Sequence, residues 1–410
     1  MSRRTFGYAS RVTLLALGVA AAASLPARAD ETTPAAPETP AAPEAAAAPT
    51  SNAVASPSMT GPLAANPNPL KFDAGPLGPV YVTGAVSGLG MAQTNPTAAD
   101  KTDRFDISNG QVVVQNTAGL VQFYAQGGIY SIPVLGTPYV TAGRTNSLLF
   151  GPLPEGYLKL APTDTFSVQA GKLPTLIGAE YTFTFENMNI ERGLLWAQEP
   201  AVSDGVQANY TVGPLAFSVS LNDGYYSGNY NWLTGSAAWT IDASNTLAAV
   251  GGGNFGHSPQ ATFATPPTLN NGSLFNLIYT YSAAPWTITP YVQFIDVPKE
   301  PGLGWTHEAQ SYGGAVLASY AFTDAISLAG RAEIVGSTGN GTDGSPNLLF
   351  GPGSSAWSLS LTPSYQQSLF FVRAEASYVG VSGIAPGAAF AHSGNATNQA
   401  RFLAETGIVF

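Results

Sequence analysis

Along most of the chain, apolar and polar residues alternate with a period of two. Val206, Ala208, Tyr210 and Val212 alternate with Gln207, Asn209 and Thr211, and Leu215, Phe217, Val219 and Leu221 with Ala216, Ser218, Ser220 and Asn222. Trp357, Leu359 and Leu361 alternate with serines and a threonine, and Phe275, Leu277, Tyr279 and Tyr281 share one parity. Successive side chains of a strand point to opposite faces, so the pattern predicts strands with one apolar and one polar face. No sustained helical period occurs in the body of the chain.

The connections carry more information than the strands. Very short links occur at 116–119, 162–164, 213–214, 242–245, 283–285, 323–324 and 366–368, all built of turn-forming or small polar residues. Between them lie longer links rich in Gly, Asn and Pro, near 92–104, 131–155, 173–204, 222–230, 254–272, 297–310, 336–354 and 381–399. Short and long alternate without a break. A soluble sandwich has no reason to keep that phase, whereas an up-and-down barrel in an outer membrane has tight periplasmic turns and long external loops. The number of links predicts an all-β, antiparallel up-and-down transmembrane barrel of about 16 strands.

Composition agrees. The 410 residues hold 10% charged residues, 45 Gly, 32 Pro and no Cys, with a formal net charge of −10. No stretch past the N-terminus approaches the roughly 18 apolar residues of a membrane helix. The acidic balance, with pI ≈ 4.7, argues against nucleic acid as a partner. At the N-terminus, Arg3, Arg4 and Arg11 precede an apolar run from Val12 to Leu25, and Ala27-Arg28-Ala29 reads as a cleavage site, so residues 1–29 are expected to be a cleaved export signal. Ser2-Arg3-Arg4-Thr5-Phe6 also fits a twin-arginine signal, which suits a barrel poorly because such a barrel crosses the inner membrane unfolded. Residues 30–69 are dominated by Pro and Ala, with little to bury, and residues 30–78 are expected to form a disordered periplasmic spacer before a barrel at 79–410.

The chain ends RFLAETGIVF, with Phe402, Ala404, Thr406, Ile408 and Phe410 on one face. An alternating last strand that stops at an aromatic residue looks like the signal read by the barrel assembly machinery, carried here by Phe402, Ile408 and Phe410. Residues 166–224 contain Gly171-Lys172-Leu173-Pro174, Gly178, Glu180, Asn187 and Arg192-Gly193. This spacing resembles that of the β-barrel porins of the OmpL-like family, and the likeness extends more loosely over 80–410. It implies a membrane channel but names no solute. A homotrimer is expected by analogy.

The link 173–204 is the most distinctive. It holds Glu180, Glu186, Glu191, Arg192 and Glu199 among Tyr181, Phe183, Phe185 and Trp196. Such a loop suits an inward constriction, its rings buried against the wall and its carboxylates facing water; an external lid or an oligomer contact is the competing reading. In 326–336 and 369–380, outward Ile326, Leu328, Phe370 and Val372 set the phase, so Arg331, Glu333, Arg373 and Glu375 should point inward. A charge on the lipid face at that depth would cost about 2–4 kcal/mol. Arg401 and Glu405 share the lumen face of the last strand. These groups read either as a charged pore lining that orients polar solutes or as ion pairs bracing the wall.

Enzyme chemistry is not expected, because His257, His307 and His392 fall in separate long links with no strand pattern placing one beside a serine. They also make a poor metal site, and no cofactor is expected. The sequence therefore predicts an outer-membrane porin for passive diffusion of small hydrophilic solutes. A non-conducting barrel serving as surface anchor or adhesin is the alternative. From Glu180, Glu186, Glu191, Glu199 and Asp204 against Arg192, a weak cation preference is expected of a constriction whose carboxylates face water.

Overall fold

A computed structural model describes residues 61–98 and 100–410. The expected export signal and residues 30–60 of the expected spacer lie outside the described residues.

The alternating segments form the predicted strands. After a short strand β1 (Leu70–Asp73) come β2 (Pro79–Gln93), β3 (Asp103–Asn116), β4 (Val121–Tyr130), β5 (Glu155–Leu160), β6 (Phe166–Pro174), β7 (Val202–Val212) and β8 (Leu215–Asn222). They continue as β9 (Trp232–Thr240), β10 (Asn245–Asn254), β11 (Ser273–Ala283), β12 (Trp286–Val297), β13 (Ala309–Ala321), β14 (Ile326–Ser337), β15 (Ser355–Gln367), β16 (Phe370–Ser382) and β17 (Asn398–Val409). From β2 to β17 each strand pairs antiparallel with the next, and β17 pairs with β2 from Arg401↔Gln93 to Val409↔Ala85. The result is a closed 16-strand up-and-down barrel. Short and long links fall at opposite ends, as the sequence predicted. Among the described residues the two α-helices lie in long links: α1 (Ala142–Leu148) between β4 and β5, and α2 (Pro267–Asn270) between β10 and β11.

The two faces follow from sequence parity. Ile334, Leu361, Phe402 and Val292 are exposed on the outer surface, where lipid satisfies them. Trp286, Tyr320 and Phe322 pack edge to face at the short-link end, part of the aromatic girdle expected at a membrane interface. Inward positions carry Ser, Thr, Asn and Gln, for instance Gln111, Gln126, Ser358 and Ser360. At the seam Gly84 and Phe410 exchange backbone hydrogen bonds of 2.8 and 2.9 Å. The aromatic C-terminus thus completes the ladder that closes the barrel.

The spacer boundary requires correction. Leu70–Asp73 pairs antiparallel with Pro79–Val82, and Asn116 Nδ2 donates to Leu77 O at 2.7 Å. Residues 70–78 therefore form a hairpin arm on the barrel. The short LKFD run, next to Pro69, was too brief to show its alternation.

The topology has a direct check. Proteinase K added to intact cells should cut within the β14–β15 link, residues 338–354. Cuts at 213–214 or 323–324 from outside would contradict the orientation.

Candidate functional site

The β6–β7 link, residues 175–201, turns into the barrel. All of its residues from Thr182 to Trp196 are buried. Strands β14, β16 and β17 hold it through inward arginines and glutamates whose phase the lipid face dictates.

On β16 and β17, Arg373 lies directly opposite Glu405 in the ladder, and the two form a fully buried ion pair. Arg373 also donates to the carbonyls of Asn187 and Thr184, both at 2.9 Å. Glu405 accepts from the Thr184 hydroxyl at 2.6 Å and from Ser87 at 3.1 Å. One wall pair thus binds the first half of the loop. Among the described residues Glu375 forms no ion pair with an arginine. It accepts the backbone N–H groups of Ile190 and Glu191 and the hydroxyl of Thr362.

On β14, Arg331 donates to Glu180 Oε1 at 2.6 Å and to the Glu191 carbonyl at 2.7 Å, while its Nε lies 3.2 Å from Glu333 Oε2. Glu333 accepts the N–H groups of Leu194 (3.0 Å) and Leu195 (3.2 Å) and the Ser358 hydroxyl (2.6 Å). These N–H groups immediately precede the short helical turn Trp196–Gln198. On β17, Arg401 donates to Glu191 Oε1 at 2.8 Å and to Val134 O at 2.9 Å, tying in the β4–β5 link. Ser377 holds the other oxygen of Glu191 at 2.8 Å.

The expected site residues therefore come together, but in a different arrangement. The loop carboxylates do not face water: Glu180 and Glu191 meet wall arginines, and Glu186 is fully buried and accepts the Phe183 N–H at 3.0 Å. The premise of a cation-selecting constriction is corrected accordingly. Arginines inside a narrow lumen need partners more than the loop needs charge at its surface, because an unpaired buried charge is far costlier than a paired one. Arg401 and Glu405 share a face yet take separate partners.

The motif residues that carried the family likeness turn out to build this loop. Asn187 accepts Tyr181 N at 2.7 Å and donates to Tyr181 O and Phe183 O, closing a tight turn. Arg192 donates to backbone carbonyls of Thr182 and Ile190. Burial pushes its guanidinium down to about 10, which leaves it protonated at neutral pH. Its own N–H and C=O bond Pro133 O and Leu135 N of the β4–β5 link at 2.9 and 3.0 Å. Gly193 donates to Glu180 Oε2 at 2.9 Å, and a Cβ there would lie 2.2 Å from Glu333 Oε1. Only glycine lets the chain pass between those two carboxylates. Sequence reasoning missed the hydroxyl and amide partners Ser87, Asn109, Thr184, Ser358, Thr362 and Ser377, although the inward parity of the wall residues among them was readable.

Around the loop lie three chambers. One of about 370 Å³ opens toward the long links and touches Trp196, Ala197 and Glu199. Two lie toward the short links and share Leu176, Gly178 and Tyr181. The first, of about 590 Å³, is lined by Gln115, Tyr157, Lys159, Gln169 and Gln207; the second, of about 570 Å³, by Ser236, Thr280, Thr287 and Thr289. The loop thus presents uncharged residues to both inner chambers.

Glu199 stands apart. Among the described residues neither carboxylate oxygen has a hydrogen-bond partner, and burial, then the nearby Glu180 and Glu333, pushes its carboxyl well above the usual range. A raised folded-state value means the closed loop keeps a proton that the released loop sheds, so loop stability falls as pH rises above the ordinary carboxylate value. Glu199→Gln should increase hydrogen-exchange protection of residues 182–196 at about pH 8 and change little near pH 4. Equal protection of variant and parent at the higher pH would contradict this.

Comparison with known proteins places the geometry in context. No curated protein matches the sequence. Among solved structures, outer-membrane OmpT of Vibrio cholerae, folded in vitro, aligns with 15% identity over 84% of this chain and 100% of its own, at a TM-score of 0.54. The outer membrane channel DcaP of Acinetobacter baumannii aligns with 10% identity over 81% and 97%, at 0.53. Salmonella typhi OmpF, solved with daunomycin, aligns with 12% identity over 83% and 100%, at 0.55. At these identities the likeness is one of fold. The family model described as "Putative beta-barrel porin-2, OmpL-like" matches residues 79–410, so the chain belongs to that family of outer-membrane β-barrel porins.

Proposed function

We propose that the protein is a passive diffusion channel for small hydrophilic solutes, with its lumen narrowed by the link 175–201. The observation that carries this reading is the loop itself. It divides an outer chamber from two inner ones, and Arg331, Arg373 and Arg401 fasten it to the wall. Amide, hydroxyl and tyrosine side chains line the first inner chamber, with Lys159 the one charged residue on its wall among the described residues. Groups of that kind exchange hydrogen bonds with solutes that arrive hydrated, so transport should favour uncharged or weakly charged polar molecules. Glu180 and Glu191 are matched by wall arginines and Glu186 by a backbone N–H group, while burial favours the protonated form of Glu199, so the field of the loop carboxylates at the passage is small. Glu186→Gln with Glu191→Gln should therefore leave the reversal potential in a salt gradient nearly unchanged while loosening the loop.

Single-channel recording of the purified, folded protein in planar bilayers tests the function. Discrete open steps are expected. Their lasting absence would favour a barrel that serves as surface anchor or adhesin. The outer-membrane lipid and the barrel assembly machinery are the partners this reading requires, the latter through Phe402, Ile408 and Phe410. Export by a signal cleaved after Ala29 and assembly as a homotrimer belong to the same proposal. A trimer form of Vibrio cholerae OmpT is a related case in fold.

A further inference from the structure

Residues 61–66 precede the barrel in sequence but lie inside its short-link mouth. Leu63 is 3% exposed and belongs to a buried apolar cluster. That cluster combines Ala85, Phe371 and Val409, at the short-link ends of β2, β16 and β17, with Phe183 and Phe185 of the inner loop. Ala64 N–H donates to Gln366 Oε1 at 2.7 Å, and Gln366 Nε2 donates back to Ala64 O at 3.0 Å. The Gln366 amide at the short-link end of β15 therefore pairs with the segment as a neighbouring strand would. Gly61 runs so close to the loop that a Cβ would lie 2.6 Å from Asn187 O, the neighbourhood that Arg373 also holds. Gly61 lines the second inner chamber as well. Beyond Ala64 an Asn66–Asn68 turn leads into β1, which is fastened to β2.

We propose that residues 61–66 form an inner strap: a segment of this chain docked in the periplasmic mouth, which braces loop 175–201 from below and narrows the exit of the second chamber. An apolar side chain in a cluster, a reciprocal amide pair and a backbone contact with the loop act at three separate points. Among the described residues the strap is joined to the barrel wall through β1, which pairs with β2. It can leave the mouth without any wall strand unpairing, and its release would widen the exit and loosen the loop together.

The proposal rests on the channel reading, and its test separates the two. The chain has no cysteine, so single cysteines report cleanly. In the full-length folded protein, Leu63→Cys should react with a membrane-impermeant maleimide far more slowly than Asn68→Cys, and adding Gln366→Ala should speed the Leu63→Cys reaction. Leu63→Asp, and separately deletion of 30–66 with the export signal and β1 kept, should give larger conductance steps and faster protease cleavage within 182–196. Equal labelling rates at the two cysteines would overturn the strap, as would unchanged loop protection in both variants. A barrel that never conducts, yet shows the labelling and protease differences, would refute the channel and leave the strap standing.

Discussion

Arg373→Ala should free the inner loop while leaving the barrel closed. Arg373 is fully buried, pairs with Glu405 and donates to two loop carbonyls. Its removal leaves Glu405 charged and enclosed, a change that costs about 3–5 kcal/mol when one partner of a buried pair is lost. Most of that cost falls on the loop, because the β16–β17 ladder is made by backbone groups that the substitution does not touch. Protease sensitivity within 182–196 should appear in the variant, with an unchanged heat-modifiable gel shift of the barrel. Arg373→Ala with Glu405→Ala should lose less than the single substitution, since no unpaired charge remains. Arg373→Lys should not restore the parent, because an ammonium cannot serve a carboxylate and two carbonyls in the planar geometry of a guanidinium. A fully protected loop in Arg373→Ala would show that the wall pair does not hold it.

The second large effect is expected at Gly193. A methyl group there would intrude on Glu333 Oε1 at 2.2 Å and Glu180 Oε2 at 2.7 Å, so at least one carboxylate must move. Moving Glu333 abandons the N–H groups of Leu194 and Leu195; moving Glu180 abandons Arg331. Overpacking of a tight site costs about 1–3 kcal/mol before such losses are added. Gly193→Ala should therefore release residues 190–197, seen as faster amide exchange there than at Phe183–Asn187, which Arg373 and Glu405 still hold. Uniform loosening of the whole loop would mean that the two anchors are not independent.

Much of this barrel was legible because lipid imposes a strict rule on every second residue. Phe370, Val372 and Ile334 had to face outward, which fixed Arg331, Glu333, Arg373 and Glu375 as inward without any knowledge of the fold. Their partners were legible only in part. Nearness in sequence suggests Arg331–Glu333, which forms at 3.2 Å, and Arg373–Glu375, which does not, because residues two apart on a strand compete with the residue directly across the ladder. Arg373 lies opposite Glu405, in a register set by the long β16–β17 link rather than by a tight turn that could be read. Glu180 and Glu191 meet Arg331 and Arg401 across 151 and 210 residues. The outward turn assumed for the loop carboxylates failed because the loop's own charges were counted and the wall's demand for them was not. Likewise Leu63 gave no periodic signal in its Pro- and Ala-rich surroundings, and only the described structure shows it seated in the mouth.

In the proposed channel the loop fastened by wall arginines sets the width of the passage. Single-channel conductance of the parent should be compared with that of Arg373→Ala in one bilayer and one salt. Discrete steps are expected for both proteins, larger and noisier in Arg373→Ala, with any shift of the reversal potential toward cations because Glu405 loses its partner. Identical steps, in a variant whose loop has become protease-sensitive, would place the narrowest part of the channel elsewhere and contradict the claim.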